Sequence, residues 1–237
     1  MSRPDLHLDW CNAKAARFAC EHWHYSQTMP VSKAVNIGVW EDGRFIGAVV
    51  FSWGANRSLG APYGLAMTEC AELCRVALTR HETPVSRVLA IAIRMLKRQS
   101  PGIKLLVSFA DPVQGHHGGI YQAGGWLYAG TSEPSFEWRL NGKRLNKRAF
   151  TGANFGRGRQ RVPVGAVRVS VPGKLRYLMP LCADVREAVR RLARPYPKKV
   201  DGDAGAMAES AGPGSIALDA PPDQGGEGGQ QPTPGLQ

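Results

Sequence analysis

Residues 83–110 read TPVSRVLAIAIRMLKRQSPGIKLLVSFA, and this stretch decides the fold. Thr83-Pro84 has the form of a helix N-cap with proline in the first turn. Val85, Leu89, Ile93 and Leu96 then recur at helical spacing to about Gln99. Ile103 to Ala110 is a continuous apolar run, the pattern of a strand covered on both faces at the centre of a sheet. A polar loop, a short helix around Gly119 to Ala123 and a strand from Trp126 follow. Strand, helix, strand in that order predicts a parallel crossover.

Towards the N-terminus, residues 12–24 place Ala15, Phe18, Ala19 and Trp23 at helical spacing behind a candidate Asn12 cap. Ala34 to Trp40 and Phe45 to Trp53 are β-rich runs around Asp42-Gly43, a short-range hairpin signal, and Thr68 to Leu78 alternates as a third strand. Downstream, Asn141-Gly142 reads as a turn, Val162 to Val171 as a strand and Asp184 to Arg194 as a final basic helix. Helix, hairpin, strand, long helix, central strand, short helix and closing strand is the order of N-acetyltransferase-like domains. The expected class is therefore α/β (α+β), a mixed central sheet flanked by helices.

Composition bounds the rest. A chain of 237 residues, 43% hydrophobic, suits one domain with extensions. From 198 to 237 there is no aromatic residue, 14 of 40 positions are Gly or Pro, and two lysines face six acids. Such a segment buries too little surface to repay the entropy of ordering, so the expected organisation is a domain over 1–197 and a disordered tail over 198–237. The net charge of +11 then leaves about +15 on residues 1–197, a field that concentrates polyanions such as nucleic acid. No run approaches the roughly 18 apolar residues of a membrane helix, and MSRPDLHLDW lacks a secretory apolar stretch. Cys11, Cys20, Cys70, Cys74 and Cys182 are odd in number and form no CxxC pair. They indicate neither a disulfide framework nor a zinc knuckle, and a soluble protein of the reducing cytoplasm is expected.

Two segments carry chemistry. EHWHYSQTMP, residues 21–30, puts His22 and His24 around Trp23, with Tyr25-Ser26 opening a loop at a helix end. SFADPVQGHHGGIYQAGGWLYAG, residues 108–130, leaves the central strand with Asp111, His116, His117 and Tyr121 among several glycines. Ligands of open α/β sheets sit beyond the carboxyl ends of such strands. Two histidines, a carboxylate and a phenol exceed what a turn needs. His24, Asp111 and one of His116 or His117 would also make a two-histidine, one-carboxylate set of the kind that suits iron(II). A third segment, Arg139 to Arg161, holds eight basic residues and no acid. Arg144, Lys147, Arg148, Arg157, Arg159 and Arg161 within it form a candidate phosphate-tracking arm.

HYSQTMP, ELCRVAL, TPVSRVLAIAIRMLK and SFADPVQGHHGGIYQAGGWLYAG together resemble the phage Mom family of adenine methylcarbamoylation proteins, over roughly residues 8–140. The resemblance implies an N-acetyltransferase-like enzyme of the host cytoplasm that converts adenine in phage DNA to its N6-carbamoylmethyl form and so evades host restriction. It implies functional positions at His24, Tyr25, Asp111 and Tyr121, with Arg75 and Ser86 as cofactor-binding positions. Double-stranded DNA is the implied partner, with the target adenine flipped out of the stack, since an enzyme cannot act on N6 inside a duplex. Trp53, Trp126 and Tyr128 are candidate stacking surfaces, although aromatic side chains more often carry the core. The donor of the transferred group stays open. An acetyl-CoA-like ligand is one candidate, but TRHETPVS, residues 79–86, holds no glycine where acetyltransferases place their pyrophosphate loop. An acyltransferase acting on a protein or small molecule, and a non-catalytic DNA-binding accessory protein, are the competing readings.

Overall fold

The structure, a computed structural model, describes residues 3–54, 57–145 and 162–198. Its strands are β1 (Leu6–Trp10), β2 (Ala34–Glu41), β3 (Arg44–Ser52), β4 (Cys70–Leu78), β5 (Leu105–Ala110), β6 (Leu127–Thr131), β7 (Ser135–Leu140), β8 (Lys143–Leu145), β9 (Val167–Val171) and β10 (Leu175–Pro180). Its helices are α1 (Ala13–Trp23), α2 (Val85–Gln99), α3 (Gly119–Ala123) and α4 (Ala183–Arg190). Seven strands form one sheet in the order β1-β2-β3-β4-β5-β10-β6, and β8-β7-β9 form a second. In the large sheet β4 and β5 are parallel and the other neighbours antiparallel.

The element order is the expected one, with two differences. The chain from Trp126 does not pair with the central strand: β10 is inserted between β5 and β6 and pairs antiparallel with both. Since both are antiparallel to β10, β5 and β6 run parallel and β5-α3-β6 is the expected crossover, with β4-α2-β5 as a second. The second difference is β1, an edge strand from a polar segment too short to signal itself in the sequence, which pairs with β2 from Leu6↔Glu41 to Trp10↔Ile37.

Both faces of the sheet are covered, which is why β3 is apolar from Phe45 to Phe51. Ala48 and Val50 pack with Ala16, Ala19 and Cys20 of α1, while Val49 and Phe51 join Val88, Leu89, Ala92 and Leu96 of α2. In β5, Leu106 faces the α2 side, and Leu105 and Val107 pack with Val185 and Val189 of α4. Asn12 caps α1 as expected, its Oδ1 accepting from the Ala15 amide at 2.9 Å. Thr83 does not cap α2 with its side chain. Pro84 stands at that position, and the Thr83 amide is used differently, as described below.

Two irregularities open a site. The β3–β4 register shifts between Val50↔Arg75 and Phe51↔Leu73, so Cys74 is an extra residue in β4 and Arg75 turns to the face carrying α1. The β4–β5 ladder runs from Cys70↔Leu105 to Glu72↔Val107 and stops. Beyond it β4 stays with β3 and β5 stays with β10, so the two parallel strands part at their carboxyl ends. Ser108 Oγ bridges the base of this opening, 2.8 Å from the Leu73 carbonyl.

Arg144 lies in β8, and the rest of the basic arm, Lys147, Arg148, Arg157, Arg159 and Arg161, lies outside the described residues, as does the tail from 199 onward. Among the described residues no helix is long and apolar enough to cross a membrane.

Candidate active site

The opening between β4 and β5 gathers residues from four parts of the chain. The helix α1 ends at His24, whose backbone is already extended, and the loop after it folds back against β4. Arg75 holds the loop there, its Nε donating to the Thr28 carbonyl at 2.9 Å and a terminal nitrogen to the Cys74 carbonyl at 2.8 Å. Arg75 is thus a strut with its cation beside His24.

His24 is mostly enclosed. Its Nδ1 accepts from the Ser26 amide at 3.1 Å and lies 2.8 Å from Ser26 Oγ. An amide only donates, so Nδ1 carries a lone pair and the neutral ring holds its proton on Nε2. Burial, and after it the charges of Arg75, His116 and Lys174, lower the His24 pKa to about 3. His24 is therefore a neutral hydrogen-bond donor at physiological pH. Tyr25 lies against it, ring centroids 4.3 Å apart, and meets the edge of His116 at 5.0 Å. Tyr25 keeps 40% of its surface exposed, so part of the residue is accessible to a ligand.

Asp111 ends β5 and is 7% exposed. Its Oδ1 accepts from the Val113 amide at 3.1 Å, starting the 3-10 turn Pro112–Gln114, and its backbone carbonyl accepts from the His116 amide at 3.1 Å. Its Oδ2 is 2.8 Å from Lys174 Nζ. Lys174, on the turn between β9 and β10, was missed in the sequence because nothing local marks it; only the insertion of β10 beside β5 brings it here.

Tyr121 points inward from α3. Gly118, before that helix, has φ +83°, and a Cβ there would lie 2.3 Å from the Tyr177 ring, so only glycine lets α3 start against β10. The Tyr121 ring packs on Trp126 and Tyr177, at 5.2 and 5.0 Å. Its hydroxyl is 2.8 Å from Ser108 Oγ. The Leu73 carbonyl can only accept, so the serine proton goes to it and the phenol proton goes to the serine oxygen. Burial pushes the Tyr121 pKa up to about 12. The phenol is a neutral, internally satisfied group at the floor of the opening.

His24, Tyr25, Arg75, Asp111, His116 and Tyr121, six of the residues singled out in the sequence, thus share one site with Lys174 and Ser108. Ser86 stands in the first turn of α2, without a hydrogen bond to any of them among the described residues. Trp126, fully buried, belongs to the core, and Tyr128 packs on Tyr177 at 5.4 Å. Among the described residues no group of three or more His, Cys, Asp or Glu is arranged to hold a metal ion. In the present arrangement Asp111 Oδ2 faces Lys174 and His24 Nδ1 faces Ser26, so the His24, Asp111 and His116 or His117 set considered above is not gathered around one point.

The fold order also implies an acyl-CoA ligand, whose pyrophosphate would sit on free amides between β4 and α2. Two of the amides there are occupied. The buried Glu41 carboxylate accepts from the Thr83 amide at 2.8 Å and the Glu82 amide at 2.9 Å. Burial alone would raise its pKa, but these hydrogen bonds outweigh it and hold the carboxyl below the usual range. Pro84, next in line, has no N–H to offer. A carboxylate beside these amides repels a diphosphate, which disfavours CoA at this loop. Calorimetric titration of the full chain with acetyl-CoA is expected to show no saturable heat up to about 1 mM; micromolar binding would show that Glu41 gives way.

The two parallel strands of this mixed α/β sheet part over a buried carboxylate, a phenol and a neutral histidine, which makes the strand ends the candidate ligand site. The profile of the Mom protein family matches residues 5–198, and the chain belongs to that family. No curated protein sequence matches it. Similar solved structures include FeeM, an N-acyl amino acid synthase from uncultured soil microbes, at 12% identity and TM-score 0.44, covering 79% of this chain and 97% of that one. The acyl-homoserine-lactone (AHL) synthase LasI has 13% identity and TM-score 0.37, covering 84% and 100%.

Proposed function

We propose that the protein is a transferase that modifies adenine in double-stranded DNA at N6, giving the N6-carbamoylmethyl base and shielding phage DNA from host restriction. Family membership over residues 5–198 supports DNA modification. The observation that carries the catalytic reading is the buried Asp111 carboxylate, fixed by Val113 and Lys174 at the mouth of the opening beside the exposed Tyr25 ring.

The exocyclic N6 is a poor nucleophile because its lone pair is delocalised into the ring. As that pair attacks the donor carbon, the leaving group departs with its bonding electrons and the N6 proton must go to a base. Asp111 takes it directly. A relay through His24 is disfavoured, since the only lone pair on that ring is held by Ser26 and its pKa of about 3 makes it a very weak base. Its Nε2–H is suited to orient the substrate. Tyr25, rather than the enclosed Tyr121, is the phenol able to meet the base or the leaving group.

The second sheet leads from this site into the basic arm. In it Arg168 lies over the Phe136 ring at 3.7 Å, and β8 carries Lys143 and Arg144 at the start of the segment. Charge reversal at Arg157 and Arg159 is expected to weaken duplex binding and lower the slope of log affinity against log salt by about 2, one for each phosphate that is no longer neutralised. An unchanged slope would remove the arm from the DNA interface.

Mass spectrometry of nucleosides from DNA co-expressed with the protein tests the reading. A modified adenine supports it. Unmodified DNA with an acylated protein or small molecule would support the acyltransferase reading that the element order favours, and binding alone an accessory role.

A further inference from the structure

We propose that Lys174 is a positioning residue for the Asp111 carboxylate, presented from the root of the second sheet; this rests on the transferase reading above. Lys174 Nζ lies 2.8 Å from Asp111 Oδ2, the oxygen that the Val113 amide leaves open. Each carboxylate oxygen has two lone pairs. One on each is engaged from inside the protein, which fixes the plane of the group and leaves the others for a proton arriving from the substrate.

Exposed ion pairs usually contribute little, because two long side chains must be ordered in water. This pair differs on both sides. The Asp111 side chain is 10% exposed and held by its own turn. The backbone of Lys174 is clamped: its amide donates to Ser132 Oγ at 2.9 Å, and its carbonyl accepts from the Ser132 amide at 2.9 Å. The clamp requires the preceding glycine, since a Cβ on Gly173 would fall 1.7 Å from the Ser132 carbonyl oxygen. Ser132 leads from β6 into β7, and Gly173-Lys174 from β9 into β10. The two connections of the second sheet to the large one are therefore stitched together at the point where the lysine leaves for Asp111. The same ammonium is among the charges that keep His24 neutral, so it serves both polar groups of the site.

The test is steady-state kinetics of adenine modification by the full chain on duplex DNA, read by nucleoside mass spectrometry. Lys174→Met is expected to lower kcat by about 100-fold, in the range of a misplaced general base, with KM for DNA within about twofold of wild type. Lys174→Arg, which keeps a cation at the carboxylate, should recover most of the rate. In an Asp111→Asn background Lys174→Met should cost nothing further, because residues acting as a unit are not additive. Lys174→Gln replaces the methionine variant if that chain does not fold. Wild-type kcat in Lys174→Met, an effect on KM alone, or an arginine variant as impaired as the methionine one would each overturn the assignment. A wild-type chain that leaves adenine unmodified would overturn the functional reading itself, and this inference with it.

Discussion

Replacing Asp111 with asparagine lowers adenine modification by at least about 100-fold while duplex affinity stays near wild type, because the substitution removes the base and leaves the basic arm untouched. Asparagine is nearly isosteric and still accepts from the Val113 amide through Oδ1, so the 3-10 turn persists. Its NH2 then faces the Lys174 ammonium, two donors with no acceptor between them. Lys174 is 40% exposed along its side chain and can swing to water, which keeps the structural cost small. The expected result is a folded protein that binds DNA and does not modify it, measured by mobility shift and nucleoside mass spectrometry on the same preparation. Retained activity would remove Asp111 from the mechanism.

The second large effect is on stability against pH. The His24 pKa is about 3 in the folded chain against an ordinary value of 6.5. Between those values the unfolded chain binds a proton that the folded one does not, so stability is full above pH 6.5 and is lost as pH falls through the window. One such group contributes at most about 1.4 kcal/mol per pH unit. Urea unfolding between pH 7.5 and 5.5, above the range in which Glu41 protonates in the folded or the unfolded chain, should show this decline. In His24→Asn, whose amide oxygen can replace Nδ1 as acceptor for Ser26, the decline should flatten. Parallel curves for the two proteins would mean that His24 is protonated in the folded state.

The elements legible in the sequence were those whose signal is local. The α2 periodicity, the apolar run of β5, the Asp42-Gly43 hairpin and the Asn12 cap depend on neighbours within a few residues, and each stands where expected. The parallel sense of β5 and β6 is legible in the strand-helix-strand order, but their separation by β10 is not, since strand pairing depends on which distant segment arrives. β10 came from a stretch with no strong pattern of its own and took the place beside β5.

The site divides in the same way. The sequence by itself determined that His24, Tyr25, Asp111 and Tyr121 sit where a helix or central strand ends, and the family resemblance made adenine the expected substrate. Only the tertiary structure decided their states. His24 is a neutral donor because burial disfavours its charged form, the Ser26 amide takes its lone pair, and the cations of Arg75 and Lys174 lie near it. Tyr121 is a buried floor because Gly118 lets α3 press against Tyr177, and Glu41 occupies two amides before α2 because the β2–β3 hairpin ends beside them. Lys174 reaches Asp111 because β10 lies next to β5. Protonation and partnership depend on what the fold brings within about 3–6 Å, a distance that sequence spacing does not encode.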